Sequence, residues 1–297
     1  MIRTFHHEDF AAAALAEHKA TQGQLVSVCL PARDEAATVG GIVEDLRRSL
    51  VERVGLVDEI LVVDDHSSDA TAAVARDAGA RVVAVDDVLP ELGVGEGKGE
   101  ALWKSVAAAT GDLIVWCDAD ITDFGPRFVV GLVGPLVVRP DIGFVKGFYD
   151  RPVAQHPHGG GRVTELVARP AIATMFPHLA SIVQPLSGEY AGRRSLLERV
   201  PFVQGYGVDL GLLIDISQLE GTEVIAQVDL GTRRHRNRPL GELGPQALAV
   251  MQTALRRAGT GLGGPASLVR PDLEPVEVAT GERPALVDVP GYRRRTA

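Results

Sequence analysis

The heptapeptide VWCDADI (115–121) ends an apolar run, Leu113 to Cys117, with two aspartates one residue apart. Ionised carboxylates beside such a run are costly unless a cation meets them or they emerge into water at the strand end. Along an extended strand, alternation turns Asp118 and Asp120 to the same side. The pair therefore suits a metal with oxygen ligands, or a basic side chain, at the edge of a sheet.

Working outward, the first half of the chain alternates apolar runs with amphipathic stretches. LVSVCL (25–30), EILVVDD (59–65), RVVAV (81–85) and DLIVWCDAD (112–120) read as strands. TVGGIVEDLRRSLVERV (38–54), ATAAVARDAG (70–79) and GKGEALWKSVAAAT (97–110) read as helices. Near-continuous Val, Ile and Leu in strands separated by helices predict a mainly parallel sheet covered on both faces. In such α/β folds ligands bind beyond the carboxyl ends of the strands, where PARDE, DDHSSD and DAD fall. The second half is less regular. PLSGEYAG (185–192) reads as a turn, YGVDLGLLIDISQLEG (206–221) as an amphipathic helix and TEVIAQVDLG (222–231) as a strand. One helix follows near 243–258, and the Gly/Pro-rich remainder is expected to be loose or to dock late.

Composition narrows the function classes. The 297 residues suffice for a full core, and a net charge of −9 disfavours nonspecific contact with nucleic acid or anionic lipid. No apolar run approaches the roughly 18–20 residues that cross a bilayer, and the N-terminus lacks a signal-peptide pattern. Cys29 and Cys117 sit inside apolar strands as buried free thiols, with no zinc spacing, which fits a cytoplasmic protein.

Each polar cluster has a structural reading beside the functional one. In PARDEAAT (31–38), Glu35 reaches a base or ribose, or favours the dipole of the next helix. In DDHSSDAT (64–71), Asp64 or Asp65 accepts from a base, while Ser68 or Asp69 caps a helix. GEGKGE (95–100) lacks the spacing of a P-loop, yet Lys98 lies at a helix start where anions are favoured. GGGRVTE (159–165) offers Arg162 and Thr164 to a phosphate or carboxylate. In RRHRNRP (233–239), His235 and Asn237 share a side, and His235 is a candidate second metal ligand.

Taken together, PARDEAAT, GKGEALWKS, DAD, GGGRVTELVARP, PLSGEYAGRR, YGVDLGLLID and AQVDLGTRRHRNRPLGELG resemble the glucosyl-3-phosphoglycerate synthases. These are retaining glycosyltransferases with the Rossmann-like GT-A fold. The likeness runs from about Leu25 to Gly244. It implies transfer of glucose from UDP-glucose to the 2-hydroxyl of 3-phosphoglycerate with Mg²⁺ or Mn²⁺, in a homodimer. Pro31, Ala32, Arg33, Asp34, Glu35, Asp65, Lys98, Asp118 and Ala119 fall where the family holds the nucleotide sugar. Tyr206 and Asp209 fall beside the donor glucose, Asp120 and His235 match the metal ligands, and Gly161, Arg162, Thr164 and Asn237 match the acceptor site. The backbone near Leu186 is expected to support positive charge developing on the sugar. The implied division is an N-terminal segment (1–24), a nucleotide-sugar half (25–125), an acceptor half of the same domain (126–259) and a C-terminal tail (260–297).

Three departures bear on specificity. The family has Leu-Asn where this chain has Arg33-Asp34, Ser where it has Asp65, and Glu where it has Asp209. Those at Arg33, Asp34 and Asp65 keep open a related transferase that uses GDP-glucose or GDP-mannose, or an acceptor such as glycerate. Asp209, one methylene shorter, bears on a distance-sensitive hydrogen bond beside the reacting sugar. A nucleotide-sugar-binding protein without turnover is a further alternative, against which the intact set of metal, phosphate and acceptor candidates argues. A lipid-phosphate glycosyltransferase shares the N-terminal motifs but requires membrane-docking helices that this sequence does not display.

Overall fold

The computed structural model describes residues 2–151, 161–234, 240–261, 267–271 and 273–292. The elements begin with β1 (Arg3–His6), α1 (Ala12–Thr21), β2 (Val26–Ala32), α2 (Val39–Leu46), β3 (Glu59–Asp64) and α3 (Thr71–Asp77). They continue with β4 (Arg81–Ala84), α4 (Lys98–Ala108), β5 (Leu113–Trp116), α5 (Arg127–Val138), β6 (Phe144–Asp150) and α6 (Arg169–Met175). Next come β7 (Tyr190–Arg193), α7 (Arg194–Leu197), β8 (Phe202–Val203), α8 (Val208–Glu220) and β9 (Ile225–Thr232). The last are α9 (Leu243–Arg257), β10 (Ser267–Arg270), β11 (Leu273–Glu277) and β12 (Glu282–Arg283).

Alternation along the apolar runs places side chains on both faces of one sheet. Val26, Val28 and Leu30 of β2, with Leu113 and Val115 of β5, enter a core built with α1, α2 and α5. Cys29, Leu61, Val63, Ile114 and Trp116 point the other way, into a core built with α4, α6, α8 and α9. The sheet has eight strands in the order β1-β9-β6-β7-β5-β2-β3-β4. All neighbours are parallel except β7, which runs antiparallel to both β5 and β6. Crossover helices on both faces leave the carboxyl ends of β2, β3 and β5 on one edge.

Several segments differ from the sequence reading. β5 ends at Trp116, so the two aspartates stand in the turn beyond the strand. PLSGEYAG is a turn only at its start, because Tyr190–Arg193 inserts as the antiparallel strand β7. Helix α8 is buried at every position from Val208 to Ser217, being packed against α9, α4 and β8, and so is not amphipathic. The first residues join the sheet, with Arg3 opposite Ala226 of β9.

Of the two expectations for the C-terminal stretch, loose or docked, the described residues 282–286 are docked. β12 pairs with β8, and Leu286 is fully buried. Arg283 donates to Glu100 through Nε (2.6 Å) and Nη2 (2.8 Å), and to the carbonyl of Leu92 (2.7 Å). Trp103 Nε1 donates to the carbonyl of Pro284 at 2.8 Å. These bonds tie the stretch around Arg283 and Pro284 to α4 and the turn before it; the first residue of α4 is Lys98.

Candidate active site

A cavity of about 460 Å³ opens at the carboxyl edge of the sheet. The end of β2 and the turn after it supply Pro31, Ala32, Arg33 and Glu35, and the residue following β3 supplies Asp65. The turn after β5 adds Asp118, Ala119 and Asp120, and the start of α4 adds Lys98. From the second half come Gly161, Arg162 and Thr164, together with Leu186, Tyr206 and Asp209. Residues separated by more than half the chain thus converge on one cavity. His235 and Asn237 lie outside the described residues.

Asp34 is the exception. Its backbone is left-handed (φ 57°), and Oδ1 accepts from Ser68 N at 2.7 Å, Ser68 Oγ at 3.0 Å and Asp69 N at 3.3 Å. The bonds from Ser68 hold its carboxyl below the usual carboxylate range. The sequence reading groups Asp34 with the donor contacts; the described cavity lining does not include it, and its carboxylate ties the loop after β2 to the loop after β3. Asp69 reinforces that tie, accepting from Ala36 N at 3.2 Å and Thr71 N at 2.9 Å. Thr38 Oγ1 donates to the carbonyl of Ala119 at 2.6 Å, fastening the aspartate turn to the start of α2.

The question posed by the two aspartates is answered by cations. Lys98 Nζ lies 3.0 Å from Asp118 and 3.4 Å from Asp209. Arg233 Nη2 donates to both Asp118 Oδ2 and Asp120 Oδ1 at 2.9 Å, while its Nε lies 3.1 Å from Glu189. Burial opposes the charge on Asp118, but Lys98 and then Arg233 overcome it and hold the carboxyl well below its ordinary value. Burial likewise opposes the charge on Lys98, and Asp118 and Asp209 reverse this and lift its pKa. Gly188 permits the approach, because a Cβ there would stand 2.0 Å from Asp118 Oδ2.

A buried polar layer supports these groups. Glu189 is fully buried, accepts from Tyr149 Oη and faces Arg233. Arg151 Nη2 donates to Tyr149 Oη at 2.8 Å and itself lines the cavity. Lys146, 1% exposed, sits with its ammonium 4.0 Å from the centre of the Tyr190 ring. Sequence reasoning missed Arg233, Arg151 and this layer. Arg233 carried a signal: the alternation that pairs His235 with Asn237 also puts Arg233 on their side.

The donor set fits a hard divalent cation. Asp120 offers carboxylate oxygens at the cavity with its side chain 37% exposed, and Mg²⁺ and Mn²⁺ favour such ligands. Arg233, shared by both aspartates, shows that positive charge is favoured between them. Among the described residues no group of three or more His, Cys, Asp or Glu could hold a metal. Asp120 suits a cation that, as Mg²⁺ commonly does, takes one or two carboxylates and completes its shell with substrate phosphate oxygens.

Comparisons with known proteins agree with this geometry. Residues 27–136 match the model for glycosyl transferase family 2. The chain is 43% identical to a glucosyl-3-phosphoglycerate synthase of Petrotoga mobilis, over 99% of this chain and 96% of that one. The crystal structure of glucosyl-3-phosphoglycerate synthase from Mycobacterium tuberculosis, in complex with Mn²⁺, UDP-glucose and phosphoglyceric acid, superposes with a TM-score of 0.88. Identity there is 43%, with 96% and 98% of the two chains covered. Mannosyl-3-phosphoglycerate synthase from Rubrobacter xylanophilus also superposes with a TM-score of 0.88, at 37% identity and 97% coverage of both chains. With near-complete coverage at this identity, the chain belongs to the glucosyl-3-phosphoglycerate synthase family.

Proposed function

We propose that this protein transfers the glucosyl group of UDP-glucose to the 2-hydroxyl of 3-phosphoglycerate, with retention of configuration and with Mg²⁺ or Mn²⁺ bound. The observation that carries the reading is the convergence of the cation-bridged pair Asp118 and Asp120 with Arg162 and Thr164 on one cavity. One end of that set suits a diphosphate and its metal, and the other suits a phosphorylated acid.

In this reading Asp120 and His235 hold the cation, which supplies positive charge to the departing diphosphate. Arg162 binds the acceptor phosphate through a charge-assisted contact, aided by Thr164, Gly161 and Asn237. Pro31 to Glu35, Asp65 and Ala119 form the nucleotide end, with Asp34 acting by bracing the loop. Asp118, Lys98, Tyr206 and Asp209 position the glucose, and the Leu186 backbone faces the charge that develops on it. Among the described residues the carboxylates of Asp118, Asp120 and Asp209 are each held by Lys98 or Arg233. The acceptor hydroxyl is accordingly read as attacking from the face the diphosphate leaves.

Among the described residues no helix is long and apolar enough to cross a membrane. A cytoplasmic homodimer belongs to the same reading; the two free buried cysteines suit a reducing compartment. A second donor, GDP-glucose or GDP-mannose, is kept open by the carboxylate of Asp65 at the cavity where the family has a serine, since a carboxylate accepts from the N–H groups of either base. The test is a panel of UDP- and GDP-sugars with 3-phosphoglycerate and glycerate, scored for released nucleoside diphosphate. UDP-glucose with 3-phosphoglycerate is expected to give the highest kcat/KM. A higher value for a GDP-sugar or for glycerate would replace the reading.

A further inference from the structure

Asp65 follows β3, and its backbone N donates to the carbonyl of Ala32 at 2.8 Å, which fixes it at the mouth of the cavity. Its side chain is 7% exposed. The next residue, His66, takes the left-handed conformation (φ 59°), which side chains other than glycine adopt sparingly. Its ring lies between two carboxylates, with Nδ1 2.9 Å from Asp65 Oδ1 and Nε2 3.0 Å from Asp86 Oδ2. The bonds to Asp65 and then Asp86 raise the pKa of His66 above its ordinary 6.5 and favour an imidazolium that donates to both. Among the described residues His66 is the side-chain partner of Asp65, so Oδ1 is engaged and Oδ2 is the acceptor left to a ligand.

The two candidate bases differ in the donors they offer. Guanine presents N1–H and N2–H side by side, and a carboxylate with two free oxygens takes both. Uracil presents one N3–H flanked by two carbonyl oxygens, which a second free carboxylate oxygen would repel. We propose that His66 is a specificity-determining positioning residue: by engaging Oδ1 of Asp65 it leaves one acceptor, which suits the single N3–H of uracil and denies guanine its two-point contact. Asp86 completes the device by holding the far side of the ring. This rests on the reading that the base of the donor lies against Asp65. Discrimination then comes from masking an attractive group as much as from presenting one.

The test is calorimetric titration of UDP and of GDP, each with Mn²⁺, into wild type, His66→Gly, His66→Ala, Asp65→Ser and the His66→Gly/Asp65→Ser double variant. Glycine keeps the left-handed turn without strain. Freeing Oδ1 allows guanine a second charge-assisted bond, so the GDP-to-UDP affinity ratio should rise about tenfold or more in His66→Gly and His66→Ala. With serine at 65 the same glycine substitution should leave the ratio unchanged, because His66 acts through Asp65. A purely structural histidine would weaken both nucleotides alike. An unchanged ratio in both single His66 variants, with UDP still bound by wild type, overturns the role of His66 and spares the site. If Asp65→Ser alters neither nucleotide's affinity, the base does not lie against Asp65, and the underlying reading falls as well.

Discussion

Removing Arg283 tests how the end of the chain supports the active site. Glu100 is fully buried with no exposed side-chain surface, and both its oxygens accept from Arg283, itself only 11% exposed. Arg283→Met strips a buried carboxylate of its cation, a change that typically costs about 3–5 kcal/mol. Lys104 Nζ remains 3.8 Å from Glu100 and compensates in part, so the lower end, about 3 kcal/mol, is expected. Glu100→Leu alone leaves Arg283 unpaired and should cost a similar amount. The double variant removes both charges and should lose much less than the sum, giving a coupling of about 2 kcal/mol or more. Urea unfolding of all four proteins at pH 7 closes this cycle. Because Glu100 is two residues from Lys98, Arg283→Met should also raise the KM for UDP-glucose. Additivity of the two single losses to within about 0.5 kcal/mol would refute the docked arrangement.

Other outcomes follow from the site. Asp120→Ala should abolish turnover, and EDTA should do the same to wild type with Mn²⁺ or Mg²⁺ restoring it; full activity in EDTA would end the metal reading. Arg162→Ala should raise the KM for 3-phosphoglycerate about tenfold to a hundredfold while UDP affinity, followed by calorimetry, holds. A collapse of UDP affinity instead would mean donor and acceptor ends are exchanged. Lys146 is lowered to about 8 by burial, against the pull of Asp209, whereas the unfolded chain titrates near 10.5. Between those values the unfolded state binds more protons, so this group makes stability rise with pH by an amount on the order of 3 kcal/mol. Urea unfolding of wild type and Lys146→Met at pH 7.5 and 10.5 should show that rise in wild type and its loss in the variant.

The apolar runs carried the strands because period-two packing on two covered faces leaves a near-continuous Val and Ile signature, as in β2 and β5. The same logic found the carboxyl edge, and the motifs on it meet in one cavity. β7 was illegible because half of PLSGEYAG is turn chemistry, while Tyr190 and Ala191 are buried only through long-range pairing with β5 and β6. What docks the C-terminal stretch was illegible for a related reason: Arg283 gains its meaning from Glu100, 183 positions away. For Asp34 the pattern gives its place in the loop but not the direction of its carboxylate, which meets Ser68. The role of Arg233 was illegible because its partners, Asp118, Asp120 and Glu189, meet it only through the fold.

The most direct test of the central claim is proton NMR of the product formed by the purified protein from UDP-glucose and 3-phosphoglycerate with Mn²⁺. The account predicts one new glucoside, linked at the 2-hydroxyl, with the anomeric coupling of the donor retained and UDP released in equal amount. An inverted anomer, a linkage elsewhere, or UDP released with free glucose alone would contradict it.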